Sequence, residues 1–271
     1  MKSVPDGRKA AAHGGDIAML SDSPLRDTFS LASDTFLLDV DGTILDIAPS
    51  PAEVRVPDSL LRTLTLLTDR TNGATALVSG RTIADLDRLF VPLVLSVIGC
   101  HGAEWRTAPT EPIVGRSEPL SEELKRGLFH VADFEPRIRV EDKRYTLAFH
   151  YRRAPDREAT LQANLRRHLA PHDSRLHLLR GKSVLEVKSR GIDKGEAIGE
   201  LMSIPPFAGR RPVFFGDDKT DQDAFAIVRD LGGVGISVGC RMPDAELIAP
   251  TPRAVRLWLA RLAGSDRGRI E

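Results

Sequence analysis

The stretch FLLDVDGTIL, from Phe36 to Leu45, sets the tightest limit on what this chain can become. It opens on an apolar run, as a strand does when helices cover both faces of a parallel sheet. Two carboxylates, Asp39 and Asp41, follow where that run stops. Burying even one uncompensated carboxylate is costly. The strand end must therefore open into a cleft or hold something cationic.

The neighbouring sequence repeats the motif of an apolar strand followed by a helix. Residues 34–40 read as a strand, and Leu60, Leu61, Leu64 and Leu67 recur at helical spacing. GATALVSG (73–80) reads as a second strand, 82–90 as a helix and 93–99 as a third strand. Strands separated by helices imply parallel pairing through helical crossovers. Near Thr107 the texture changes to TAPTEPIVGRSEP, which reads as a linker. A helix at 121–132 follows, then RIRVEDKRYTLAFHYR with a hairpin turn at Glu141 to Arg144. A helix at 156–170 and two strands with partial alternation predict an antiparallel sheet with one wetted face. The cap-like segment's basic residues, Arg137, Arg139, Lys143, Arg144 and Arg153, read as that wetted face. After SRGIDKG the strand–helix pattern resumes, with strands at 212–215 and 234–239. The chain thus divides into a leader (1–28), a doubly wound α/β core with a parallel sheet (29–108 and 189–271) and an inserted α+β domain (109–188).

Ligands of parallel α/β sheets bind beyond the carboxyl ends of the strands. Here those ends carry DVDGT (39–43), SGR (79–81) and GDDKTD (216–221), while GIDKG places Lys194 at a helix start. Singly, each has a plainer role: turn formation, a helix cap by Ser79, or acids favoured at a helix N-terminus. Together they suit phosphoryl transfer. An Asp carboxylate can attack phosphorus and form an aspartyl-phosphate. Asp41, two residues along, points the same way as Asp39 and can serve as acid and base. Clustered carboxylates without His or Cys suit a hard ion, Mg²⁺. The ion and Lys194 would offset negative charge, and Ser79 would donate a hydrogen bond to a phosphoryl oxygen.

DVDGT, SGR, DKG and GDDKTD, in this order and split by an inserted domain, resemble the four motifs of the haloacid dehalogenase superfamily of phosphatases. FLLDVDGTIL, GDDKTDQDAF, GCHGAEWR (99–106) and GKSVLEVKSRGIDKG (181–195) resemble its trehalose-6-phosphate phosphatase branch. The resemblance implies Asp39 as nucleophile, Asp41 as acid/base, and Ser79 and Lys194 on the phosphoryl group. It implies Mg²⁺ among Asp39, Asp41 (through its carbonyl), Asp217 and Asp218, with Asp221 supporting the catalytic set. Gly80, Arg81, His101, Gly102 and Glu104 would lie near the sugar, and the inserted domain would close over it as a cap through Lys182, Glu186 and Arg152. On its residues alone, the stretch His150–Arg152 reads as a solvated strand end. Asp193 and Gln222 stand where such enzymes often have Asn and Glu.

The expected activity is hydrolysis of trehalose 6-phosphate to trehalose and phosphate, the last step of trehalose biosynthesis. Another sugar phosphate, such as sucrose phosphate or a mannosyl-phosphoglycerate, is the alternative within the same chemistry. A catalytically silent sugar-phosphate sensor is a third reading, against which the intact Asp39/Asp41/Lys194/Asp217 set argues. Lys+Arg and Asp+Glu are equal at 38, and aromatics are only 5%, which disfavours nucleic acid as a partner. No apolar run approaches the roughly 20 residues of a membrane span, and the N-terminus lacks an apolar signal core. Cys100 and Cys240 read as buried free thiols of a reducing cytoplasm, and a monomer is expected.

Overall fold

The computed structural model describes residues 18–19, 29–48, 53–172 and 174–264. In chain order the first elements are β1 (Ala18–Met19), β2 (Asp34–Leu38), α1 (Asp58–Arg70), β3 (Thr75–Val78), α2 (Ile83–Leu89) and β4 (Ser96–Gly99). The next are β5 (Glu104–Arg106), β6 (Val114–Gly115), α3 (Glu122–Phe129), β7 (Arg139–Asp142), β8 (Thr146–His150), α4 (Glu158–Leu169), β9 (Leu176–Gly181) and β10 (Val184–Ser189). The last are α5 (Lys194–Leu201), β11 (Arg211–Gly216), α6 (Gln222–Asp230), β12 (Val234–Val238), β13 (Leu247–Ala249) and α7 (Pro252–Ala263).

The strands form a nine-stranded sheet in the order β1-β13-β12-β11-β2-β3-β4-β5-β6 and a four-stranded sheet in the order β7-β8-β10-β9. From β1 to β4 every neighbouring pair in the large sheet is parallel, while β5 and β6 extend it antiparallel. Residues 34 to 38 are all buried, as the double helical cover of β2 requires. On one side of the sheet Phe36, Leu38, Leu60, Leu64, Phe215 and Trp258 pack together; on the other, Leu37, Val78, Ile98, Phe214 and Phe225 do. Local capping agrees with this plan. Thr82 accepts the Asp85 N–H at the start of α2, and Asp193 accepts the Glu196 N–H at the start of α5. Thr82, not Ser79, thus caps α2, which leaves Ser79 free of that role.

The small sheet lies in sequence between β6 and α5 and is antiparallel throughout. Alternation along its strands turns Leu147, Phe149, Leu185 and Val187 toward α3 and α4, where they join Leu128, Leu161 and Leu165 in a separate apolar core. The intervening positions, Thr146 and Glu186 among them, face the large domain.

Three features depart from the sequence reading. Strand pairing carries the large sheet through the stretch expected to be a linker, as far as Gly115. Most of the expected leader (1–28) lies outside the described residues, but Ala18–Met19 pairs in parallel with Leu247–Ile248 at the sheet edge. Cys100 is buried as expected, whereas Cys240 is exposed, because it follows β12 on the loop beyond the sheet. No helix among the described residues is long and apolar enough to cross a membrane.

Candidate active site

The carboxyl ends of β2, β3 and β11 meet where the two sheets face each other, around a cleft of about 1010 Å³. Asp39 follows directly on β2, and its N–H donates to the Phe215 carbonyl (3.0 Å), so the ladder fixes its backbone. One carboxylate oxygen accepts the Thr43 hydroxyl (2.8 Å) and the other accepts Lys194 Nζ (2.8 Å). Lys194, at the first turn of α5, also donates to Asp221 (2.6 Å). Asp221 takes the backbone N–H groups of Asp217 (2.9 Å) and Asp218 (3.2 Å) on its second oxygen. One loop is thereby tied to the lysine that faces the nucleophile candidate. Ser79 follows β3, held by its N–H to the Ile98 carbonyl (2.8 Å), and lines the cleft beside Gly80 and Arg81.

Burial dominates the electrostatics. It pushes the Asp39 carboxyl well above the usual carboxylate range, with Asp221 and Asp217 adding to the shift and Lys194 opposing it. Burial likewise raises Asp217, to about 6, against the pull of Lys182. Lys194 suffers the same desolvation, but Asp221 and Asp39 outweigh it and hold the ammonium charged. Oxygens of Asp39, Asp217 and Asp221 all lie within 4.8 Å of one another. An all-carboxylate set whose burial opposes its own ionisation fits a hard divalent cation. Asp221 already gives its oxygens to Lys194 and two N–H groups, so Asp39 and Asp217 are the acids best free to hold the ion. The cluster contains Asp221 where the resemblance implies Asp218. Asp218 instead accepts the Thr220 N–H (2.7 Å) and hydroxyl (2.6 Å) at the loop start. The resemblance assigns Asp41 to the ion through its backbone carbonyl, and its carboxylate is engaged elsewhere. That carboxylate is clamped bidentately by Arg81, at 2.6 and 2.7 Å.

Gly42 sits in the left-handed region (φ 90°), and a Cβ there would fall 2.0 Å from an Asp217 oxygen. Gly42→Ala should therefore displace Asp217 and strain the loop. The expected cost is about 1–3 kcal/mol of stability and about 10²-fold in activity from the misplaced acid. Thermal unfolding and phosphate release measured on the same preparation check both.

The cap reaches across the cleft through polar groups, beside a small apolar contact of Tyr145 with Cys100 and Ala103. Lys143 donates to the Gly80 carbonyl (2.9 Å) and to Glu186 (3.3 and 3.4 Å), and Glu186 also meets His101 Nε2 (3.1 Å) and the Thr146 hydroxyl. Burial lowers the His101 pKa against the pull of Glu186, which favours the neutral ring. Gly80 allows the close approach, since a Cβ there would lie 2.4 Å from His101 Nε2. Lys182 bonds Asp217, and Arg152 bonds the Ala48 carbonyl.

Asp39, Asp41, Ser79, Gly80, Arg81 and Lys194 thus line the cleft from the core, with His101, Asp217 and Asp218. Arg152, Lys182 and Glu186 line it from the cap. Gly102 and Glu104 do not. Glu104 turns inward to accept the Ile83 N–H (2.7 Å), and Gly102 packs against the Asp193 carbonyl, where a Cβ would clash at 2.3 Å. Asp221 lies behind Lys194 rather than on the wall. Conversely Lys143, Arg137, Arg139 and Arg153, which read from sequence as a wetted face, line the cleft. Lys143 sits in the hairpin turn, and a turn lysine gives no local signal of what its long side chain reaches.

The trehalose-phosphatase family model matches residues 37–250. The Escherichia coli trehalose-6-phosphate phosphatase is 39% identical over 225 residues, which cover 82% of this chain and 84% of that protein. The structure is similar to the C-terminal domain of Candida albicans trehalose-6-phosphate phosphatase (TM-score 0.76, 23% identity, 86% of this chain and 93% of that one). It is also similar to a phosphatase of the haloalkanoate superfamily from Bacteroides thetaiotaomicron (TM-score 0.59, 18% identity, 87% and 96% covered). Those two likenesses establish the fold, a HAD-type α/β core with a cap. The family match spans both halves of the core and the cap between them, so this chain belongs to the trehalose-phosphatase family.

Proposed function

We propose that the chain hydrolyses trehalose 6-phosphate to trehalose and phosphate, the biosynthetic step its family name implies. The observation that carries the reading is Asp39 on the cleft floor, one oxygen steadied by Thr43 and the other by Lys194. An Asp39 oxygen attacks phosphorus, the P–O bond to the sugar breaks, and Asp41 gives its proton to the departing sugar oxygen. Asp41 then takes a proton from water as that water attacks the aspartyl-phosphate, and the Asp39–phosphorus bond breaks to release phosphate. Arg81 clamps both Asp41 oxygens in the resting arrangement, so it must loosen its hold before Asp41 can carry a proton. Ser79 and Lys194 hold the phosphoryl oxygens, and His101, Lys182 and Glu186 hold the sugar under the cap. Asp39 and Asp217 would hold Mg²⁺, which when bound neutralises charge on the phosphoryl group and orients it. We place the enzyme in the cytoplasm, where two free thiols, one of them exposed, are at home, and take it to act as a monomer.

Phosphate release from a panel of sugar phosphates, with Mg²⁺ and with EDTA, tests this. Strong preference for trehalose 6-phosphate, lost with EDTA, is the expected result. Comparable turnover of sucrose phosphate or other esters would move the substrate assignment, and activity undiminished by EDTA would remove the ion.

A further inference from the structure

The reacting end of the cleft holds its own cations, Lys194 and Lys182. A second set of positive groups lies elsewhere on the lining: Arg55, Arg88, Arg137, Arg139, Arg152 and Arg153. A chain with equal numbers of acidic and basic residues has thus concentrated arginine in one cavity. The acids lining that region are already engaged: Asp85 bonds Arg88, and Glu141 bonds His150 (2.7 Å). Arg137 is held by Glu135 (2.7 Å), which lies off the lining. Among the described residues no acid forms an ion pair with Arg139, Arg152 or Arg153: Glu141 acts on Arg139 through its charge alone, and Arg152 bonds the neutral Ala48 carbonyl. All three are exposed. They sit at one end of the cap hairpin, because Arg139 pairs in register with His150, two residues ahead of Arg152.

The disaccharide part of the proposed substrate carries no charge and gives these arginines no anionic partner once its phosphoryl group has reached Lys194. The cavity also stands at the upper end of the range of about 300–1,000 Å³ seen for small-molecule sites. We propose that Arg139, Arg152 and Arg153 form an outer anion-binding subsite. It captures the phosphoryl group of an incoming phosphate monoester and passes it inward to Ser79 and Lys194. Arginine suits such capture because it is always charged and offers a planar fork to phosphate oxygens. A cavity lined by one sign of charge raises the local concentration of the opposite ion and speeds association, by about 10–10³-fold at low ionic strength.

This inference rests on the phosphomonoesterase reading of the cleft, and its test separates the two. Steady-state kcat and KM of the Mg²⁺-loaded full chain are measured for trehalose 6-phosphate and for p-nitrophenyl phosphate. Salt is varied between about 0.01 and 1 M, where the screening length falls from about 30 to 3 Å. The wild type is compared with Arg139→Gln/Arg153→Gln and with Arg139→Lys/Arg153→Lys. The glutamine variant should lose about tenfold in kcat/KM at the lowest salt and converge on the wild type at the highest. The loss should fall in kcat/KM rather than in kcat, and the lysine variant should restore it. Parallel salt curves for wild type and glutamine variant would overturn the subsite, as would a loss in kcat that lysine does not repair. If the wild type hydrolyses p-nitrophenyl phosphate but not trehalose 6-phosphate, the disaccharide assignment falls, and the p-nitrophenyl phosphate curves still decide the subsite.

Discussion

Asp39→Asn is expected to lower phosphate release by at least about 10³-fold while leaving the fold intact, because losing a nucleophile removes the covalent route outright. Asparagine keeps the shape: its carbonyl oxygen can accept from Lys194, while its NH2 takes the place of the oxygen that Thr43 donates to, and the Thr43 hydroxyl can turn to accept from it. It also removes a charge that burial disfavours, since desolvation dominates the upward shift of the Asp39 carboxyl. The variant should therefore unfold at or above the wild-type denaturant midpoint. Lost activity with retained stability would isolate the chemistry from the packing. A variant retaining a tenth of wild-type turnover, repeated on independent preparations, would remove Asp39 from the nucleophile's role.

Lys194→Met carries the second large effect, and here stability and activity fall together. The ammonium is almost wholly buried and is the shared partner of Asp39 (2.8 Å) and Asp221 (2.6 Å). Removing one member of a buried ionic cluster leaves the other charges uncompensated, at a cost of about 3–5 kcal/mol. The sign of the pH dependence follows. Without the lysine, which opposes the upward shift, the folded-state pKa of Asp39 stands further above its unfolded value, so the native state binds a proton more readily than the unfolded one. Stability then rises as pH falls, and the deficit relative to wild type should be largest at neutral and alkaline pH and shrink toward pH 5. Urea unfolding at several pH values reads this directly. An equal deficit at every pH would mean that the lysine matters through packing, not charge.

The alternation of apolar strands and amphipathic helices makes the core legible, because each of β2, β3, β4, β11 and β12 is long enough to show its burial pattern. The strands that the sequence does not announce, β1, β5, β6 and β13, have only two or three residues, too few for any periodicity to show. What makes them strands is a neighbour already in place. The site divides the same way. Residues fixed at strand ends, such as Asp39 and Ser79, can be located from the motif alone. The exchange of Asp218 for Asp221 in the acid cluster depends on which of two close acids faces back along the loop, and that is decided by three-dimensional hydrogen bonds. The resemblance implies Glu104 as a residue near the sugar, yet its strand turns it inward to the Ile83 N–H. The cap arginines read as solvated because a hairpin's exposed face looks the same from sequence whether it faces bulk water or a cleft.

The order β11-β2-β3 also has a consequence for how the protein comes into being. The central strand β2 emerges early in synthesis, but its partner β11 begins at Arg211, after the whole cap. Until then one side of β2 is an open row of backbone donors and acceptors flanked by apolar side chains, the kind of edge on which chains aggregate. The cap, whose antiparallel strands are near neighbours in sequence, can fold while the core waits. A chain cut short anywhere between the end of the cap and Arg211 would therefore carry a folded lid on an unfinished sheet, and would be a burden to the cell's chaperones rather than a partial enzyme.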